Sequence, residues 1–156
     1  MAATLTTQEV FDSFLGEYDE FKTFFHGHSF TGNPLGAAAS LASLDLLESG
    51  NTKQKRSCLA ANLKSYSKPL WKLDVVGDIR QSAGVLAVEL VEDWKTRKPF
   101  DLPKQVGIRV CNAMARRGVL TRPIGNVIVI MPPFCTTQPQ VKKIFNTLRD
   151  SIKEVT

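Results

Sequence analysis

The seven residues Val85-Leu86-Ala87-Val88-Glu89-Leu90-Val91 constrain the fold more than any other stretch of the chain. On an extended backbone successive side chains alternate sides. Leu86, Val88 and Leu90 therefore share one face, and Val85, Ala87, Glu89 and Val91 the other. A strand apolar on nearly both faces is covered on both, which places it at the centre of a sheet. Another strand is expected before it, in Val75 to Ser82, across a break that contains Gly84. Downstream, VLTRPIGNVIVIMPP reads as a strand, a turn over Pro123-Ile124-Gly125-Asn126, and a further strand from Val127 to Met131 that Pro132-Pro133 ends.

Helical spacing flanks these strands. Thr6 or Thr7 is expected to cap a short helix over about 7–15, with Val10, Phe11 and Phe14 on one side and Gly16 closing it. Asn33-Pro34 is a strong helix start, because Asn caps and Pro in the first turn gives up no needed hydrogen bond. That helix is expected to reach Gly50, with Leu35, Ala38, Ala42 and Leu46 on one stripe. A further helix is expected behind a cap at Asn51 or Thr52, with Leu59, Leu63, Tyr66 and Leu70 at helical spacing. Val106, Val110 and Met114 mark another, stopped by Gly118 after Arg116 and Arg117, whose charges suit a helix C-terminus. Thr137 and Gln140 predict a capping box for a last helix striped by Val141, Ile144, Phe145, Leu148, Ile152 and Val155. The pattern is an α/β layer with a helix pair in front of it.

Composition narrows the function classes. With 156 residues, 43% hydrophobic and 22% charged, the chain holds about one domain's worth of ordinary globular sequence. No apolar run approaches a membrane span, so a soluble, cytoplasmic protein without a membrane partner is expected. Three Cys, Cys58, Cys111 and Cys135, are widely spaced and form neither a disulfide framework nor a zinc motif. The net charge of +5 is spread over clusters such as Lys53-Lys55-Arg56 and Lys142-Lys143, with no aromatic interleaving, so no nucleic-acid partner is expected.

Three constellations are candidates for chemistry. The first is His26-Gly27-His28-Ser29-Phe30-Thr31-Gly32-Asn33-Pro34, where Gly and hydroxyl residues precede a helix start whose free amides would attract an anion such as phosphate. A capped loop with incidental polar side chains is the plainer reading. His26 and His28 are expected on opposite sides of the segment and have no third ligand nearby, so no metal site is expected. The second is Arg122, an Arg beside a Pro at a strand end, which offers a fixed fork for a carboxylate; an ordinary surface ion pair is the commoner case. The third is Asp78-Ile79-Arg80, expected to be an exposed strand-end pair, with Gly77 and Gly84 shaping turns or a bulge.

The segment FFHGHSFTGNPLGAAASLASLDLLESG resembles the Gly-Asn-Pro-Leu segment of class III aminotransferases, which use pyridoxal 5'-phosphate. DIRQSAGVLAVELVED and RRGVLTRPIGNVIVIMPPFCTT narrow the likeness to the branch of that family that serves biotin synthesis. The resemblance covers essentially this whole chain and only the C-terminal part of the family's length. It implies the C-terminal portion of a fold-type I transferase. Residues 1–50 would be the tail of the large cofactor-binding domain with an interface loop and helix, and 51–156 the small C-terminal α/β domain. It further implies a homodimer, His28 and Ser29 near the cofactor phosphate, Gly27 against the substrate, and Arg122 on the carboxylate of 8-amino-7-oxononanoate. S-adenosylmethionine would be the amino donor and 7,8-diaminononanoate the product.

The family's Schiff-base Lys lies just before the segment that here begins at Ala2, so no catalytic residue is assigned and no turnover is expected of these residues alone. The alternatives are a fragment of another class III ω-aminotransferase, or a non-catalytic half that complements a separate N-terminal chain.

Overall fold

A computed structural model describes residues 2–156, which fall into two compact units that part between Ser49 and Gly50.

In the second unit the VLAVELV segment lies in β2, Val85–Asp93. It is central. β1, Val76–Ser82, lies antiparallel on one side of it and β5, Val127–Ile130, antiparallel on the other; β4, Pro123–Ile124, extends the sheet beyond β5 in the order β1-β2-β5-β4. A two-residue strand β3, Lys98–Pro99, joins the far end of β2. One face of β2 is shut, with Leu86, Val88 and Leu90 essentially without exposed surface. The other face is half open at Ala87 and Glu89, so the coverage expected on both sides holds fully on one only. Glu89 explains the difference, because it meets Arg80 across the hairpin at 2.5 Å and must keep its charge near water.

Three helices cover the closed face. α3, Gly50–Ser67, supplies Leu59 and Leu63; α4, Val106–Arg116, supplies Val106, Val110 and Met114; α5, Gln138–Val155, supplies Val141, Phe145, Leu148 and Ile152. These join the strand residues in one core. Helical spacing marks each of the three. α3 begins at Gly50 itself, ahead of the expected cap at Asn51 or Thr52, and a 3-10 turn at Lys68–Lys72 continues it and carries the buried Leu70. Pro69 accounts for the change of geometry, since it has no amide to donate within an α-helix. α4 sits so close to the β4–β5 turn that a Cβ at Gly107 would overlap the carbonyl oxygen of Gly125. That close approach fixes the segment before β5, where the site lies.

Part of the 119–131 reading is corrected. Pro123 and Ile124 are paired with Ile128 and Val127, which confines the turn to Gly125-Asn126, with Gly125 at φ 59°. Residues 119–122 form no strand. The capping box of α5 forms as expected: the Thr137 amide donates to Gln140 Oε1 at 2.8 Å.

The first unit contains α1, Gln8–Asp12, capped by Thr7, and α2, Pro34–Glu48, capped by Asn33. α1 is shorter than the expected 7–15 span. None of its described residues, nor any in α2, is buried; Leu35 is 80% exposed and the stripe through Ala38, Ala42 and Leu46 faces no core within this unit.

Candidate functional site

The candidate residues lie in two places, one in each unit. Gly27, His28 and Ser29 precede α2 in the first, and Arg122 precedes β4 in the second.

Residues 29–32 form a tight turn. The Thr31 hydroxyl oxygen accepts from the His28 amide at 2.8 Å, and the Thr31 amide donates back to the His28 carbonyl at 2.9 Å. Gly32 takes a φ of 71°, which sterics allow to glycine far more readily than to other residues. The chain then enters α2 through Asn33, whose Oδ1 accepts from the amides of Leu35 at 2.9 Å and Gly36 at 3.4 Å, while its carbonyl accepts from Ala37 at 3.0 Å. Pro34 has no amide. The first turn of α2 therefore keeps no free donor, and the expectation that open helix-end amides would attract an anion is overturned by the chain's own cap.

Donors remain one step earlier. The Ser29 hydroxyl and the Ser29 and Phe30 amides have no hydrogen-bond partner among the described residues, and all are exposed. Three neutral donors on one turn suit an oxygen-rich anion such as a phosphate. Residues 27–33 contain no Lys or Arg, so neutralising charge must come from elsewhere. Gly27 is open: a Cβ there would meet nothing within 4 Å.

His26 and His28 do not diverge. Their rings lie 5.5 Å apart, and the row continues on the same side from Phe24 to Phe30, with His28 and Phe30 stacked at 5.5 Å. Residues two apart on an extended chain share a side, which accounts for the row. No group of three His, Cys, Asp or Glu close enough to hold a metal occurs among the described residues.

Arg122 lines a cleft of about 1010 Å³. Its backbone is held on both sides. The Thr121 hydroxyl donates to the Val129 carbonyl, and the Asn126 side-chain amide donates to the Phe100 carbonyl at 2.7 Å, which pins the turn beyond Pro123. The guanidinium is exposed and has no carboxylate partner among the described residues. By contrast Arg80 is shared between Glu89 and Asp78, which raise its pKa in that order, and Arg116 and Arg117 both meet Glu154. Asp78 and Arg80 thus form the exposed pair expected of them, but within β1 rather than at a strand end and joined by Glu89.

The cleft walls are apolar at Val119, Leu120, Ile124 and Met131, and no Asp or Glu lines it. A second cation does. Lys143 on α5 borders the cleft, where its Nζ would lie 3.4 Å from a Cβ on Gly118. Sequence reading passed over Lys143, because helical spacing marks it only as solvent-facing and cannot say which loop it faces. An apolar trough with unpaired cations can bind an aliphatic chain that ends in a carboxylate. Burial pushes the Cys111 thiol up to about 11, away from the reactive range.

Comparison with known proteins adds the family. The class III aminotransferase model matches residues 1–152. The adenosylmethionine-8-amino-7-oxononanoate aminotransferase of Geobacter sulfurreducens is 51% identical over 156 residues, covering 100% of this chain and 34% of that protein. The crystal structure of the enzyme of the same name from Methanocaldococcus jannaschii superposes with a TM-score of 0.89 at 35% identity, over 96% of this chain and 34% of its own. A Vibrio fluvialis aminotransferase in its PMP-bound form gives 0.80 at 27% identity, over 88% and 30%. The chain spans about a third of the length of these relatives.

Proposed function

The chain belongs to the class III aminotransferase family, and from that premise we propose that it forms the carboxylate-recognising part of a transaminase of biotin synthesis. The reaction is amino transfer from S-adenosylmethionine to 8-amino-7-oxononanoate, giving 7,8-diaminononanoate. The observation that carries the proposal is Arg122, unpaired at the edge of an apolar cleft without acids, which matches a ketone borne on an aliphatic chain with a terminal carboxylate. Residues 1–50 then belong to the tail of the large cofactor-binding domain, and 51–156 are the small C-terminal domain.

Pyridoxal 5'-phosphate, the cofactor of this family, supplies the electron sink for moving the amino group. The residues present fit one edge of it. The Ser29 hydroxyl and the neighbouring amides would hold phosphate oxygens, with His28 beside them and Gly27 leaving room for the substrate. Arg122 orients the acceptor by its far end, so binding energy gained away from the ketone positions the ketone itself. No Lys of this chain stands in the family's cofactor-anchoring motif, so turnover requires residues beyond these 156. A homodimer, with its sites at the subunit interface, completes the reading.

The test is a chimaera in which this chain replaces the matching third of the Geobacter sulfurreducens enzyme. It is expected to bind the cofactor and make 7,8-diaminononanoate. Arg122→Ala should raise KM for 8-amino-7-oxononanoate about 100-fold, the worth of a charge-assisted bidentate pair, with cofactor affinity unchanged. Ser29→Ala should weaken cofactor binding. A loaded chimaera that prefers simple ω-amines and ignores the Arg122 change would overturn the assignment in favour of another class III ω-aminotransferase.

A further inference from the structure

The Arg122 cleft has cations on two different elements. Arg122 borders it from the segment before β4, and Lys143 borders it from α5, at the end marked by Gly118. Between Arg122 and Gly118, the residue that Lys143 approaches, run Val119, Leu120 and Thr121, a path that spans at most about 14 Å when extended. Neither cation has a carboxylate partner among the described residues, and no acidic residue lines the cleft. The wall between them is largely apolar and therefore suits methylene groups better than water.

We propose that Lys143 is a second anion-recognising residue of this cleft, so that the cleft takes linear α,ω-dicarboxylates of middle length more tightly than monocarboxylates. The proposal rests on the reading that Arg122 binds a carboxylate. One carboxylate sits on the Arg122 fork, the methylene chain lies along Val119 and Leu120, and the other meets the Lys143 ammonium. An extended nine-carbon chain is of the same order as the span available. Such a dianion would compete with a substrate that carries one carboxylate at Arg122, which makes the cleft a point of inhibition by dicarboxylic acids.

The experiment is calorimetric titration of the full chain with nonanedioate, nonanoate and 1-nonylamine at low and moderate salt. Nonanedioate is expected to bind about tenfold more tightly than nonanoate, a difference that shrinks with salt, and nonylamine not at all. Lys143→Gln should erase the advantage of the dianion and leave nonanoate binding as it was, while Lys143→Arg should keep it. Lys143 is an exposed helix position, and unchanged helical circular dichroism checks the fold. If nonanoate and nonanedioate bind equally to the unaltered chain, or Lys143→Gln leaves their ratio unchanged, Lys143 has no such role. If Arg122→Ala leaves nonanoate binding intact, the reading of Arg122 fails first and carries the proposal down with it.

Discussion

Gly77 shows how one residue governs a strand. It sits at the register shift between Val76 and Asp78, where a bulge was expected, and a Cβ there would overlap Val91 Cγ1. Val91 is 2% exposed and has little room to yield. Gly77→Ala should therefore destabilise the second unit by about 1–3 kcal/mol, the usual cost of overpacking, read as a lower urea midpoint. Ser151 works in the opposite sense. It is fully buried on α5 and its hydroxyl has no hydrogen-bond partner. Ser151→Ala removes an unsatisfied group and adds a better helix former, so a gain of about 1 kcal/mol is expected in the same assay. An unchanged or lower midpoint would mean that the hydroxyl finds a partner in solution. Neither effect is visible in the sequence alone, since both depend on what lies opposite the residue.

Elements bring their own chemistry. At the end of β2, Glu92 meets Lys104 from the 3-10 turn before α4 and Lys98 of β3, the latter at 2.7 Å. The hydrogen bond from Lys104, then that from Lys98, lowers the Glu92 pKa from 4.5 to about 2. A carboxyl whose folded pKa is depressed adds stability above its unfolded value, and that contribution is lost as pH falls through the folded one. The β2–β3 ribbon should accordingly lose stability between about pH 4.5 and 2. Glu92→Gln should flatten this part of the pH profile of unfolding; an identical profile in both proteins would assign the acid sensitivity to other carboxyls.

The element-level reading also shows where pattern suffices. α5 was legible end to end, because its capping box and its apolar stripe both lie within the one stretch from Thr137 to Val155. β2 was legible as central for the same reason. β3 was not, since Lys98-Pro99 has no alternation to detect and exists only because β2 offers it a free edge. The segment 119–122 failed in the other direction. VLTR has strand-like composition, yet it faces the cleft rather than a partner strand.

At the scale of the whole molecule, the two units differ in what holds them. Among the described residues, all the fully buried side chains belong to those from Leu59 onward. The first unit keeps Phe21, Phe25, Phe30 and Leu35 at least 72% exposed, and its contacts are local ones: caps, the Lys22–Glu20 ion pair and ring contacts such as Phe14–Phe24 at 5.2 Å. Few buried apolar contacts mean a low local free energy of opening. Limited proteolysis should cut within residues 2–49 first and leave a resistant core that begins near Gly50; hydrogen exchange should follow the same division. Equal protection across Ser49 would indicate that the apolar surface of the first unit is covered in solution, as a homodimer would cover it.

Local order was written in the sequence: caps, stripes and alternation involve residues within one or two turns of each other, and their energetics close over that distance. The same holds for the family resemblance, which rests on contiguous strings such as GNPLGAAA and TRPIGNVIVIMPP. Tertiary structure alone decided that Arg122 stands unpaired while Arg80 and Arg116 do not. It alone set Lys143 of α5 beside the Gly118 end of the cleft. Whether a charge is free depends on every neighbour within a few ångströms, and some of those neighbours, as Glu154 is to Arg116, come from distant parts of the chain.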